Sequence, residues 1–67
     1  MNIGDRVRRA RLRQGLTQLK LAAMSDLSLG TVSNIERGAD IDTSDMTLYK
    51  LGKALGEDFT DRQQESA

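Results

Sequence analysis

The sequence predicts an all-α fold, a compact bundle of four to five short helices, and three observations carry that reading. Asn2, Thr17, Ser28 and Ser44 each stand before an apolar run at helical spacing, and Gly15, Gly38 and Gly56 stand after such runs. No stretch alternates apolar and polar residues as a half-buried strand does, and the chain has no proline. Leu, Ile, Val and Phe make up fifteen of the 67 residues, and aromatic residues only 3%, so the expected core is aliphatic. That apolar share lies just above the ~20% below which chains fail to collapse, and the net charge is zero.

Each element has its own local reason. Asn2 is placed to cap a first helix, with Asp5 near the positive end and Ile3, Val7 and Ala10 on one face. Gly15 stops it. Thr17 caps a second helix through about Met24, where Leu16 and Leu21 stand as a hydrophobic staple. The break Ser25-Asp26-Leu27 follows. Asp26 takes the left-handed slot of the turn, which Asp tolerates better than most non-glycine residues. Ser28 caps a third helix to about Arg37, and Gly38 ends it. Residues 39–43 are polar apart from Ile41 and read as a loop. Ser44 caps a fourth helix carrying Leu48, Leu51 and Leu55 at i, i+3 and i+7, which Gly56 terminates. Asp58 is expected to start a short fifth helix anchored by Phe59. The domain is expected to span residues 1–62, with 63–67 a frayed polar tail. Its predicted core is Ile3, Val7, Ala10, Leu16, Leu21, Ala22, Leu27, Val32, Ile35, Leu48, Leu51, Leu55 and Phe59.

Composition narrows the function. Zero Cys and zero His leave no disulfide, thiol nucleophile, imidazole base or zinc site. With almost no volume for a closed pocket, no enzyme, metal or cofactor is expected. No apolar run approaches the ~18 residues that span a bilayer, and no leader pattern opens the chain, so the expected compartment is the cytoplasm. The zero net charge conceals an asymmetry. Residues 1–37 hold seven bases against three acids and residues 38–67 hold the reverse, +4 against −4. A basic half on so small a helical domain suits a polyanion.

The break between helices two and three matters most. Two short helices joined by so short a turn form a helix-turn-helix, whose second helix projects and fits the DNA major groove, about 12 Å wide. Here the residues resemble a known family. Gly15-Leu16-Thr17-Gln18, Leu21-Ala22, Ser28, Thr31-Val32-Ser33-Asn34-Ile35-Glu36-Arg37-Gly38 and Lys50-Leu51-Gly52-Lys53-Ala54-Leu55-Gly56 together resemble the phage repressor/Cro-type helix-turn-helix family. The resemblance covers roughly residues 3–59.

That resemblance implies a lambda-repressor-like DNA-binding domain and a transcriptional regulator. The implied activity is that of a repressor, acting as a homodimer on a double-stranded operator. It places Thr17 and Gln18 at a phosphate, with Gln18 also bracing the base-reading helix. It sets Arg11 and Glu36 as a buried ion pair between helix one and that helix. Ser28, Leu29, Gly30, Thr31, Ser33 and Asn34 fall on the outward face. Asn34 suits a base edge, Leu29 suits thymine methyls, and the hydroxyls of Ser28, Thr31 and Ser33 suit phosphates, as does Arg37. The subunit contact of relatives falls on Leu55, Glu57 and Phe59, with Phe59 the apolar anchor.

The sequence also departs from the family pattern. Gly30 replaces a polar reading residue and costs about 1 kcal/mol of helix stability relative to Ala, so base readout is thin and DNA shape carries more weight. Asp40, Asp42 and Asp45 make the usually basic loop acidic. Ser25 stands where the family buries Leu, and Leu12, Leu19 and Met24 fall in slots usually polar. Those three define a possible protein-partner surface. With the acidic loop they keep open an antitoxin-type helix-turn-helix protein that also masks a partner, while net zero charge and Gly30 keep open a protein-interaction module without DNA binding.

Overall fold

The computed structural model describes residues 2–38 and 44–60. Four helices follow in order: α1 (Ile3–Arg13), α2 (Gln18–Ser25), α3 (Leu29–Arg37) and α4 (Asp45–Leu55). Each starts on a side-chain oxygen that accepts an amide of the first turn. Asn2 Oδ1 accepts from Asp5 at 2.9 Å, Thr17 Oγ1 from Lys20 at 3.0 Å, Ser28 Oγ from Thr31 at 3.0 Å and Ser44 Oγ from Thr47 at 3.3 Å. Such a cap satisfies one donor that a helix start leaves unpaired and contributes about 1 kcal/mol.

The helix ends use left-handed residues. At α1, Leu16 N–H reaches back to Arg11 O and Gly15 N–H to Leu12 O, with Gly15 at φ +71°. This closure takes up carbonyls that the last turn leaves open. The end of α2 repeats it around Asp26 at φ +59°, where Leu27 N–H bonds Ala22 O at 3.0 Å. Asp26 is the one non-glycine residue with positive φ among the described residues. The helix itself runs one residue beyond the predicted end. Ser25 belongs to its last turn because the buried hydroxyl donates back to Leu21 O at 2.7 Å.

The core lies where α1 and α2 meet α3 and α4. It is built from Val7, Ala10, Leu21, Ala22, Val32, Ile35, Leu48, Leu51, Leu55 and Phe59, with Ile3, Leu16, Leu27 and Ala54 partly buried against it. Every predicted core position is therefore in or on the core. Phe59 reaches it from the chain that leaves α4, which lies directly on that helix: a Cβ on Gly52 would stand 2.3 Å from Glu57 O. Side chains of α1 and of Gln14, which caps its end, hold the same segment and the last residue of α4. Arg6 donates to Asp58 O at 3.1 Å and lies over the Phe59 ring, Arg13 pairs with Glu57 at 2.7 Å, and Gln14 donates to Leu55 O at 2.7 Å.

Asp58 opens no helix among the described residues. Its Oδ1 accepts from the Thr60 N–H at 2.9 Å and the Thr60 hydroxyl at 2.6 Å, a turn closed two residues on. The predicted loop at 39–43, the tail at 63–67 and any helix beyond Thr60 lie outside the described residues. Among those described, no helix is long and apolar enough to cross a membrane.

Candidate nucleic-acid interface

The position of α3 follows from what grips it. Val32 and Ile35 point into the core, and Glu36, one residue on, is buried as well. A buried carboxylate requires partners in close geometry, and Glu36 has three donors. Arg11 reaches it with two nitrogens, Nε to Oε2 at 2.7 Å and Nη2 to Oε1 at 2.9 Å, while its Nη1 donates to Leu16 O at 2.7 Å. Gln18 Nε2 adds a bond to Oε1 at 3.1 Å. The hydrogen bonds to Glu36, and secondarily its charge, raise the Arg11 guanidinium above its ordinary pKa against the opposing effect of desolvation. Three helices thus meet at one carboxylate.

Gly4 adds a second grip that sequence reasoning missed. It is buried in the first turn of α1, and a Cβ there would lie 2.2 Å from Ile35 O and 3.2 Å from Glu36 O. Only a residue without a side chain lets the start of α1 close on the last turn of α3. A glycine inside a helix reads from sequence as a small liability. Its partner here is backbone more than thirty positions away, so no local signal marks it.

The far side of α3 faces outward. Ser28, Leu29, Gly30 and Arg37 are exposed, and Thr31, Ser33 and Asn34 are half-buried. The polar groups of this side are partly paired among themselves. Ser28 Oγ accepts from the Thr31 amide and donates to Thr31 Oγ1 at 2.8 Å, and Asn34 Oδ1 accepts from Arg37 Nη2. The i, i+3 spacing that brings each pair together is visible in the sequence. At the start of α2, Thr17 is exposed with its oxygen on the Lys20 amide, and Gln18 is half-buried beside Glu36.

Two expected groupings come out differently. Leu55 and Phe59 are 4% and 1% exposed inside the core of the single chain. The Phe59 ring packs against Gly52 of α4 beneath the Arg6 guanidinium of α1, so neither side chain is presented outward by the single chain. Glu57 is drawn to Arg13 rather than left free. Leu12, Leu19 and Met24 are all exposed, but Leu12 is on α1 and the other two are five residues apart on α2. That spacing sets them about 140° apart around the helix, so they share no stripe.

A helix-turn-helix family model matches residues 7–61, most of the chain, from within α1 through α2, α3 and α4. The protein belongs to that family, the XRE or Cro/C1-type helix-turn-helix domains, and is a DNA-binding helix-turn-helix regulator. No curated protein and no solved structure gives a significant match to the chain.

Proposed function

We propose that the protein binds double-stranded DNA sequence-specifically and represses transcription by occupying an operator as a homodimer. One observation carries this reading: α3 is held from behind by Arg11, Glu36 and Gln18, while the side from Ser28 to Asn34 is turned away from the bundle. In this reading α3 enters the major groove. Thr17 and Gln18 meet a phosphate at the positive end of α2; the Gln18 amide keeps one N–H and its oxygen free of Glu36 for that contact. Ser33 and Asn34 reach base edges or the backbone, and Arg37 neutralises a phosphate beyond the helix end.

One such domain touches few base pairs, so two copies reading half-sites about 34 Å apart give a symmetric operator. Met46 and Tyr49, both exposed one turn apart on α4, offer an apolar patch for the subunit contact.

Selection of bound duplexes from a random pool tests the proposal, with a twofold-symmetric enriched site expected. Affinity for that site should fall with salt at a log–log slope of about −0.9 per phosphate neutralised. Asn34→Ala should cost about 1–3 kcal/mol of discrimination at one base pair, whereas Gln18→Ala should weaken operator and random DNA alike. Failure to enrich any duplex, or affinity indifferent to salt, would favour the protein-interaction reading instead.

A further inference from the structure

A groove of about 530 Å³ runs between α4 and the segment that follows it. Leu48, Tyr49 and Phe59 give it apolar walls, and Gly52 and Gly56 line it without a side chain. The exposed residues of α4 and its cap are Asp45, Met46, Tyr49, Lys53 and Gly56, one stripe at helical spacing that begins acidic and ends basic. Met46 is 62% exposed and Tyr49 56%, and Lys53 Nζ lies over the Tyr49 ring. An exposed apolar pair therefore borders a groove with apolar walls.

The stripe is complementary to itself. Asp45 and Lys53 stand four residues to either side of Tyr49, and Met46 and Gly52 stand three to either side. At about 100° per residue, the members of each pair also lie on opposite flanks of Tyr49. A twofold axis through Tyr49 and normal to the helix exchanges both pairs. We infer that a second copy of this chain docks here, with α4 antiparallel to α4. Met46 of each copy enters the groove of the other over Gly52, the two Tyr49 rings meet on the axis, and Asp45 of each faces Lys53 of the other. The inference rests on the homodimer of the proposed function and gives that dimer its contact. Charge complementarity selects a second copy, because the stripe carries its own opposite charge in the right register. Asp45 also interacts within its own chain, but a carboxylate accepts more than one donor. Residues 61–67 hold no apolar side chain larger than Ala, so they do not match these walls. The eleven residues of α4 span about 16 Å. One helix face of that length buries less than the ~1,200 Å² at the low end of stable interfaces. The dimer is therefore weak in solution, and two adjacent half-sites complete it by holding both copies together.

The chain has no cysteine, so Tyr49→Cys sets a thiol on the axis opposite its own copy. Under mild oxidation it should form a disulfide-linked dimer at concentrations where Arg9→Cys, exposed on α1, does not. In sedimentation equilibrium of the full chain, Met46→Ala should raise the dimer Kd about thirty-fold, since two methionines lose an apolar contact. Asp45→Lys and Lys53→Asp should each raise it about ten-fold, because two symmetry-related pairs turn repulsive at once. Combining the two should restore the parent value. Every variant should bind a duplex with one half-site as the parent does, and only joint occupancy of the symmetric duplex should weaken. A charge swap that fails to rescue, or no selective disulfide in Tyr49→Cys, overturns this contact. The homodimer of the proposed function then stands on another surface if the symmetric duplex still takes two copies cooperatively. If no duplex is enriched while the disulfide and the rescue both hold, this contact stands and the DNA-binding reading fails. Two copies that fill half-sites independently and never associate overturn contact and homodimer together.

Discussion

The C-terminal end of α3 is clasped by three parts of the chain: the bare Cα of Gly4, the guanidinium of Arg11 and the amide of Gln18. At the opposite end, Leu29 is half exposed, the space around Gly30 is open, and among the described residues Ser28 and Thr31 bond only to each other and within the helix. The same helix is thus fastened at its tail and free at its tip. The difference separates residues that place α3 from residues proposed to meet DNA, and the two groups should respond differently to substitution.

The largest expected effect is at the tail. Glu36→Ala leaves the Arg11 guanidinium buried without its carboxylate, and losing one partner of a buried pair costs about 3–5 kcal/mol. Chemical denaturation should show it, and a loss under 1 kcal/mol, the level of a surface pair, would mean that water already weakens this contact. Next come the two glycines. Gly4→Ala must push α1 and α3 apart, at a cost of about 1–3 kcal/mol. Gly30→Ala should gain about 1 kcal/mol by helix propensity alone. Opposite signs sharpen the comparison between tail and tip, and equal signs in thermal melts would break it.

The smallest effect lies away from α3, at Asp58. Hydrogen bonds from the Thr60 hydroxyl and N–H hold this carboxyl below its ordinary value of 3.8, helped by the charge of Arg6 and opposed by slight desolvation. A group depressed in the folded state adds stability above its unfolded pKa and loses it as pH falls through the folded value. The melting temperatures of the parent and Thr60→Ala should therefore differ above about pH 4 and converge in stronger acid. Because Asp58 is exposed, the gap should be small.

Much of the fold was legible because its punctuation is local. A capping oxygen and the amide it accepts lie three residues apart, so Asn2, Thr17, Ser28 and Ser44 announce four helix starts. The residues that end helices need positive φ, which points to Gly15, Gly38, Gly56 and, less directly, Asp26. The core followed from apolar spacing. The close contacts at Gly4 and Gly52 were not legible, because the backbone that excludes a side chain there is set by tertiary approach. Phe59 was ambiguous for a related reason. One aromatic residue after the last helix serves equally as core or as contact, and only the path of the chain over Gly52 decides it. Of the site, the resemblance pointed to the Arg11–Glu36 pair and the spacing allowed the Asn34–Arg37 pair, whereas the additional Gln18 bond to Glu36 and the Arg11 bond to Leu16 O depend on how the helices pack.

The free tip of α3 has a consequence for descent. Since Leu29, Gly30 and Ser33 are not among the residues that build the core, on the proposed reading a lineage can exchange them and acquire a different address on the chromosome without passing through an unfolded ancestor. Retargeting by a few surface changes, rather than by rebuilding the scaffold, is the route this architecture leaves open.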